Sequence, residues 1–446
     1  MMHSGKILAL LMPVLLASCE YFVIPDPDNP DPEEGTSNLV EPVVTVAYTV
    51  TDSLGIASAD FPAWAYDTDG VYGSLVSSMM QQKCSKKNAV LAAAMASESG
   101  SEAPEWGYRN FTVSYSSTDA LGKEVILSER IVMPVGVGFT HSPKGIALVN
   151  HPTIGSNREC PTMEKDLLVG LAALDYVAVF PDMMGFGASK DRIHPYLCSE
   201  ITARHALDGV FAALCLLYDR GISLAGGLVN VGYSQGGASA LAVHKYIETA
   251  LSEDARGQLR LKASYCGGGP YSPSATWDAY TAADDIEFPA AAPMTIIAFK
   301  EAYPREMDGV DPYDCLSEPV RKDKFLDKVL SKDYSVALLN AHLKLAVGSA
   351  RMSDILSPAL KDDGSALHAT LRGLLDKNEL ASGWSPQSPV RLFHVPDDEV
   401  VPYVNYEKAM SGLAGGKVSA FKSLLTPSGS HSAGGGVFYL QLMDEL

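Results

Sequence analysis

The chain has 446 residues, of which 47% are hydrophobic and 20% charged, enough for a large core in one big domain with an insertion, or in two domains. Its formal net charge of −19 repels phosphate backbones and anionic lipid surfaces, which excludes nucleic acid as an expected partner. The cysteines show no Cys-x-x-Cys spacing and there is no His-Glu-x-x-His, so neither a metal nor a cofactor is expected.

His3 and Lys6 precede an apolar stretch, residues 7–16, which is too short to span a bilayer as a stable helix. Residues 1–18 therefore read as a signal peptide. The stretch ends Leu16-Ala17-Ser18-Cys19. That quartet resembles the lipobox of bacterial lipoproteins, where the chain is cut before the cysteine and the thiol is lipidated. The resemblance implies lipidation of Cys19, a membrane partner through that anchor, and a place in the bacterial cell envelope, at the outer membrane or cell surface. Residues 19–38 follow as a tether. Their alternation of proline and acid, Pro25-Asp26-Pro27-Asp28-Asn29-Pro30-Asp31-Pro32-Glu33-Glu34, supports neither helix nor sheet and repels itself into an extended chain.

Residues 39–105 mix a strand-like run at 43–48 with a small-residue helical stretch at 89–96 and suggest no role. From residue 106 the pattern is regular. Residues 111–115 and 124–128 flank a polar turn, Thr118-Asp119-Ala120-Leu121-Gly122, and predict a hairpin. Residues 145–150 form a continuous apolar strand, 166–174 a helix, 176–180 a further strand, and 202–218 a long amphipathic helix. Strand–helix alternation of this kind predicts a mainly parallel sheet.

The next strand, Leu228-Val229-Asn230-Val231, runs into Gly232-Tyr233-Ser234-Gln235-Gly236-Gly237. A strand, a sharp turn with serine at its apex and a small-residue helix start describe a nucleophile elbow. Glycines on both sides let strand and helix approach closely and admit a strained turn. Residues 259–265 predict another strand. Residues 271–386 are helical by period, with Phe325, Leu326, Val329 and Leu330 on one face and Leu367, Leu371, Leu374 and Leu375 on another. They read as a helical cap inserted between two sheet strands. The sheet resumes at 390–395, followed by a helix near 405–413, a strand, and a final helix after His431.

Ser234 is a weak nucleophile until a base takes its proton. His431, in a glycine-flanked loop near the C-terminus, suits that work, because imidazole accepts and returns a proton near neutral pH. The acid that orients it lies in Asp397-Asp398-Glu399; Asp397 and Asp398 are equivalent on chemistry, with Glu399 a third choice. Ser, Asp, His is the α/β-hydrolase chain order. Two fixed N–H groups must hold the oxyanion: Gln235, which follows the nucleophile, and Thr153, since Pro152 in His151-Pro152-Thr153 has no N–H. His151 and Asp182 brace this side or merely close turns. His194 and His394 read as structural, and Met183, Met184 and Phe186 as acyl-pocket lining or core. Cys215 reads as core, and Cys160 with Cys198 as the first pair to test for a disulfide.

Together, His151-Pro152-Thr153, Pro181-Asp182-Met183-Met184-Gly185-Phe186-Gly187-Ala188-Ser189, His194-Pro195-Tyr196, the elbow, Gly268-Gly269-Pro270-Tyr271 and Asp398-Glu399-Val400-Val401-Pro402 resemble the bacterial branch of the secretory lipase family, related to fungal lipase A. The resemblance covers roughly residues 110–446. It implies an α/β-hydrolase fold, a helical cap over an acyl site, and a Ser-Asp-His triad with the acid at Asp398. Where that family usually carries His-Gly, this chain has His151-Pro152.

The expected organisation is a signal peptide (1–18), a tether (19–38), the first part of the hydrolase core with an N-terminal extension (39–270), the cap (271–386) and the second part of the core (387–446). The expected activity is hydrolysis of a small-molecule or lipid ester through an acyl-enzyme on Ser234. The rivals are a serine peptidase on the same triad and a surface binding lipoprotein on an inactive hydrolase fold.

Overall fold

The computed structural model describes residues 39–67, 74–99, 106–136, 141–422 and 430–446. The expected signal peptide, Cys19 and the tether lie outside the described residues. The described strands are β1 (Tyr48–Ala57), β2 (Trp106–Thr118), β3 (Glu124–Gly136), β4 (Gly145–Asn150), β5 (Tyr176–Pro181), β6 (Leu228–Tyr233), β7 (Ala263–Gly267), β8 (Val390–Phe393) and β9 (Val418–Ala420). They form one sheet in the order β1-β2-β3-β5-β4-β6-β7-β8-β9.

The hairpin predicted from its polar turn is β2–β3, antiparallel with Tyr115 opposite Leu127. From β5 to β9 every pairing is parallel. β4 and β6 are buried along their whole length, which is why they read as mainly apolar runs rather than alternating ones, with Asn150 and Asn230 the polar exceptions. Asn150 pairs with Gly232, so the end of β4 and the start of the elbow lie side by side.

Three expected elements shift. The N-terminal strand begins at Tyr48 rather than 43 and pairs antiparallel with β2 as the edge of the sheet. The strand expected at 259–265 begins at Ala263. Residues Glu253–Leu259 are helical, capped by Ser252, whose hydroxyl accepts the Ala255 N–H. Residues Leu167–Leu174 form a 3-10 helix, entirely buried, and an element apolar all round carries no period to reveal its type.

Helices cover both faces. Ser199–Asp219 and Gln235–Thr249 pack Leu207, Val210, Leu241 and Val243 against Leu148 and Val179. On the other face Ser74–Ser99, Leu167–Leu174 and His431–Glu445 bring Met80, Leu168, Phe438 and Tyr439 against Val149 and Val231. The N-terminal extension therefore supplies an edge strand and two covering helices among the described residues, Phe61–Ala65 and Ser74–Ser99.

Between β7 and β8 the chain is helical, including Pro273–Ala282, Ala291–Ala302, Phe325–Ser331, Val336–Val347 and Ala366–Lys377. These helices share an apolar cluster of Phe299, Phe325, Leu339, Leu371 and Leu374, which also takes in Met184 and Tyr196 of the core. The segment rests on the loop after β4. The Asn157 N–H donates to the Lys332 carbonyl at 2.8 Å, and a Cβ on Gly155 would lie 2.5 Å from the Tyr334 carbonyl oxygen.

The cysteine pairing does not form. Cys160 and Cys198 are both free and buried, in different environments. Cys160 packs with Ile154 and Phe186, whereas Cys198 joins the large cluster under the helices and donates to the Tyr196 carbonyl at 3.6 Å.

Candidate active site

β6 ends at Tyr233, and Ser234 occupies φ 60°, ψ −125°, in the half of backbone space that non-glycine residues rarely enter. The turn needs room on both sides. A Cβ on Gly232 would fall 2.0 Å from the Gly236 carbonyl oxygen. The Ser234 N–H donates to the Gly267 carbonyl at the end of β7, 2.9 Å away. The turn thus lifts the serine hydroxyl off the carboxyl ends of the parallel strands, where α/β sheets bind ligands.

Three side chains from distant parts of the chain meet there. His431 Nε2 lies 2.8 Å from Ser234 Oγ, and His431 Nδ1 lies 2.7 Å from Asp398 Oδ2. Of the three adjacent acids, Asp398 reaches the ring. Asp397 is exposed. Glu399 accepts the backbone N–H of His431 at 2.9 Å, so it holds the residue by its main chain. Tyr233 adds a second tether by donating its hydroxyl to the His431 carbonyl at 2.8 Å. His431 opens the last helix, which Ser430 caps by accepting the Ala433 N–H. Ser234 and His431 are 8% and 9% exposed, so both lie largely sheltered from solvent.

Asp398 is fully enclosed. Burial works against its charge, yet hydrogen bonds from His394 and His431 outweigh it and hold the carboxyl well below its usual range. Its other oxygen accepts the N–H groups of Val400 and Val401 at 2.9 and 2.7 Å.

The N–H groups of Gln235 and Thr153 have no acceptor among the described residues. The first opens the helix Gln235–Thr249, whose N-terminal dipole favours negative charge. The second lies in the loop after β4, which Gly236 abuts. The Gln235 side-chain amide donates to His194 Nε2 at 2.7 Å, while His194 Nδ1–H donates to the Met184 carbonyl at 2.8 Å. Burial, then the nearby Lys332 charge, pushes His194 down to about 3, so it stays a neutral acceptor. Tyr196 lies 3.4 Å by its hydroxyl from Thr153 Oγ1.

His151 faces the Asp182 backbone carbonyl at 3.2 Å rather than the carboxylate, and burial lowers its basicity. The Asp182 carboxylate instead takes Ser128 Oγ and both the N–H and hydroxyl of Thr162. Met183, Met184 and Phe186 are all buried, in three separate apolar clusters. Sequence reasoning treated His394 as structural; here its Nε2 lies 3.3 Å from Asp398 Oδ2. No motif marks that contact, because the turn between them is irregular.

A strained serine at the carboxyl ends of a parallel sheet, with helices on both faces, decides the architecture. The fold is that of the α/β-hydrolases. Solved structures agree with that assignment. The rice cell wall degrading esterase LipA of Xanthomonas oryzae aligns at TM-score 0.62 and 24% identity, over 79% of this chain and 92% of its own. A putative hydrolase of Legionella pneumophila aligns at TM-score 0.65 and 15% identity, over 90% and 98%. Candida antarctica lipase A aligns at TM-score 0.53 and 14% identity, over 83% and 75%. The sequence itself matches no family model and no curated protein.

Proposed function

We propose that this α/β-hydrolase is a serine esterase or lipase acting on carboxylic esters. The observation that carries the reading is the unbroken chain Ser234 Oγ, His431, Asp398 at 2.8 and 2.7 Å, together with the Gln235 and Thr153 N–H groups, which have no acceptor among the described residues. Ser234 Oγ attacks the acyl carbon as His431 Nε2 takes its proton. The carbonyl oxygen becomes an oxyanion held by the N–H groups of Gln235 and Thr153. His431 then gives the proton to the leaving alkoxide, and the ester C–O bond breaks. Water, deprotonated by the same His431, releases the acid and restores Ser234. Asp398 fixes the ring and balances the imidazolium charge.

Residues 271–386 act as a cap over this site. Their apolar cluster suits an acyl chain better than a charged peptide. The esterase and lipase neighbours support the ester reading over the peptidase one. At the other end, Cys19 carries acyl chains that hold the enzyme on the envelope, each buried CH₂ adding about 0.8 kcal/mol. Cys19→Ala should leave the protein unanchored; a mature start at any other residue, seen by mass spectrometry, ends the lipoprotein reading.

The deciding experiment pairs a fluorophosphonate probe with substrate panels. Ser234 alone should be labelled, and labelling should nearly vanish in His431→Ala. Medium-chain p-nitrophenyl esters should turn over faster than any aminoacyl anilide. The reverse order makes the chain a peptidase. A folded wild type that resists the probe and cleaves neither substrate is a binding protein.

A further inference from the structure

The acid of the proposed triad serves two histidines. His394 follows β8 directly, and its side chain, like that of Asp398, is completely enclosed. Its Nε2 lies 2.9 Å from the Val401 carbonyl oxygen and 3.3 Å from Asp398 Oδ2. Both neighbours only accept, so Nε2 must carry the proton. Nδ1 on the far side of the ring is buried and has no partner among the described residues. Tyr403 and Tyr406 meet the ring nearly edge-on, with centroids 5.6 and 6.4 Å away, and leave it little freedom to turn. Asp398 thus receives two amide N–H groups on Oδ1 and the His431 N–H on Oδ2, while His394, whose Nε2–H donates to the Val401 carbonyl, stands 3.3 Å from the same Oδ2.

We propose that His394 is a positioning residue: with its Nε2–H held 3.3 Å from the same Asp398 oxygen that His431 uses, it draws negative charge off that oxygen and keeps the base ready at lower pH. The inference rests on the hydrolase reading above. A carboxylate that bonds one imidazole alone attracts its proton strongly and stabilises the imidazolium, which cannot accept from Ser234. A second donor on that oxygen weakens the attraction.

The surrounding groups do not substitute for it. Glu399 engages the His431 main chain, and Asp397 points to solvent. From the helical segment Tyr280 reaches the Val400 carbonyl at 2.7 Å. Burial raises the phenols of Tyr280, Tyr403 and Tyr406, so all three stay neutral across the working range.

The test compares His394→Leu, which removes the donor, with His394→Gln, whose amide N–H can reach the same oxygens. In His394→Leu the acid limb of the kcat/KM profile for a p-nitrophenyl ester should move up by about half to one pH unit. At a pH on that limb this is a loss of roughly three- to tenfold, with the alkaline plateau kept within about twofold. His394→Gln should restore the limb. A limb unmoved in His394→Leu, or moved equally in both variants, overturns the proposal, since a packing role would follow ring shape and not the donor. Proton NMR reads the same effect without turnover. Loss of the competing donor should shift the His431 Nδ1–H resonance downfield in His394→Leu and not in His394→Gln. If that shift appears but no variant or wild type cleaves an ester, the hydrolase reading fails and the shared carboxylate stands. If the resonance does not move, the shared carboxylate falls.

Discussion

Gly236 is seated on Asn150: a Cβ there would lie 2.1 Å from the Asn150 carbonyl oxygen and 2.9 Å from that of His151. The contact joins the first turn of the elbow helix to the loop that carries Thr153. The two proposed oxyanion donors are therefore spaced by one backbone crossing. Gly236→Ala has no relief, because backbone meets backbone. It should fold, displace one donor, and lower kcat/KM by about 10²-fold. Ester kinetics with circular dichroism on the same sample check this. A value within threefold of wild type would show that the donors are set elsewhere.

Which acid serves the triad is a matter of one turn. Asp398→Asn cannot hold the His431 tautomer and should cost about 10⁴ in kcat/KM. Asp397→Asn, at an exposed position, should stay within about twofold. The stability profile gives a second readout. Asp398 ionises below its unfolded range, so its charge stabilises the fold above the unfolded carboxylate value near 4 and loses that effect as pH falls through the folded value. Denaturant curves at pH 7 and pH 3 should show the wild-type advantage over Asp398→Asn shrinking in acid. An equal gap at both pH values would place the effect in packing and not in charge.

The elbow was legible because each of its glycines answers a steric demand: Gly232 meets Gly236 and Gly236 meets Asn150, so only one residue type fits. β4 and β6 were legible because burial on both faces leaves them mostly apolar, with the Asn150 amide donating to Asn230 inside. The choice among Asp397, Asp398 and Glu399 was not. Three adjacent carboxyls share one chemistry, and what separates them is the turn in which Asp398 accepts the Val400 and Val401 N–H groups. The N-terminal strand, expected at 43–48, lies instead at Tyr48–Ala57, and its bounds were illegible for the opposite reason to β4: as an edge strand most of its side chains face solvent, which erases the alternation that marks a strand's bounds. The His394 contact joins two residues across a loop of no regular period, so no spacing rule reaches it.

Asn378 links the last long helix of the 271–386 segment to the sheet-packed helix Ser199–Asp219. Its Oδ1 accepts the Ser199 N–H at 2.7 Å, the Ser199 hydroxyl at 3.1 Å and the Tyr303 hydroxyl at 2.7 Å. Its amide donates to the Leu374 carbonyl at 2.8 Å. The side chain is fully buried, so Asn378→Ala would leave the buried Tyr303 phenol and the half-buried opening N–H of a long helix without their acceptor. Each unmet group costs about 1–3 kcal/mol. The variant should lose about 2–4 kcal/mol in urea unfolding, with ester turnover in the folded fraction nearly unchanged. A loss under 1 kcal/mol would mean that water replaces the amide.

Lys332 is the converse case, a charge whose removal should help. It is 6% exposed, and its ammonium lies over the face of Phe186, 5.0 Å from the ring centroid, with the neutral His194 near it. Burial lowers it from 10.5 to about 8. Below pH 8 the folded state holds a poorly solvated charge; between 8 and 10.5 the folded protein has released a proton that the unfolded chain still binds. Wild-type stability from this group therefore rises with pH across that window. A difference of that size corresponds to about 3 kcal/mol, and the lost contact with Phe186 returns about 1 kcal/mol of it. Lys332→Met, of similar length and apolar, should gain about 2 kcal/mol at pH 7, with the gain fading as pH climbs past 8 toward 10.5. Only the difference between variant and wild type is diagnostic, because the buried cysteines titrate in the same range. Matched denaturant curves at pH 7, 9 and 10.5 measure it. A Met variant less stable at pH 7, or a gain that does not depend on pH, would mean that Lys332 is solvated or paired in solution.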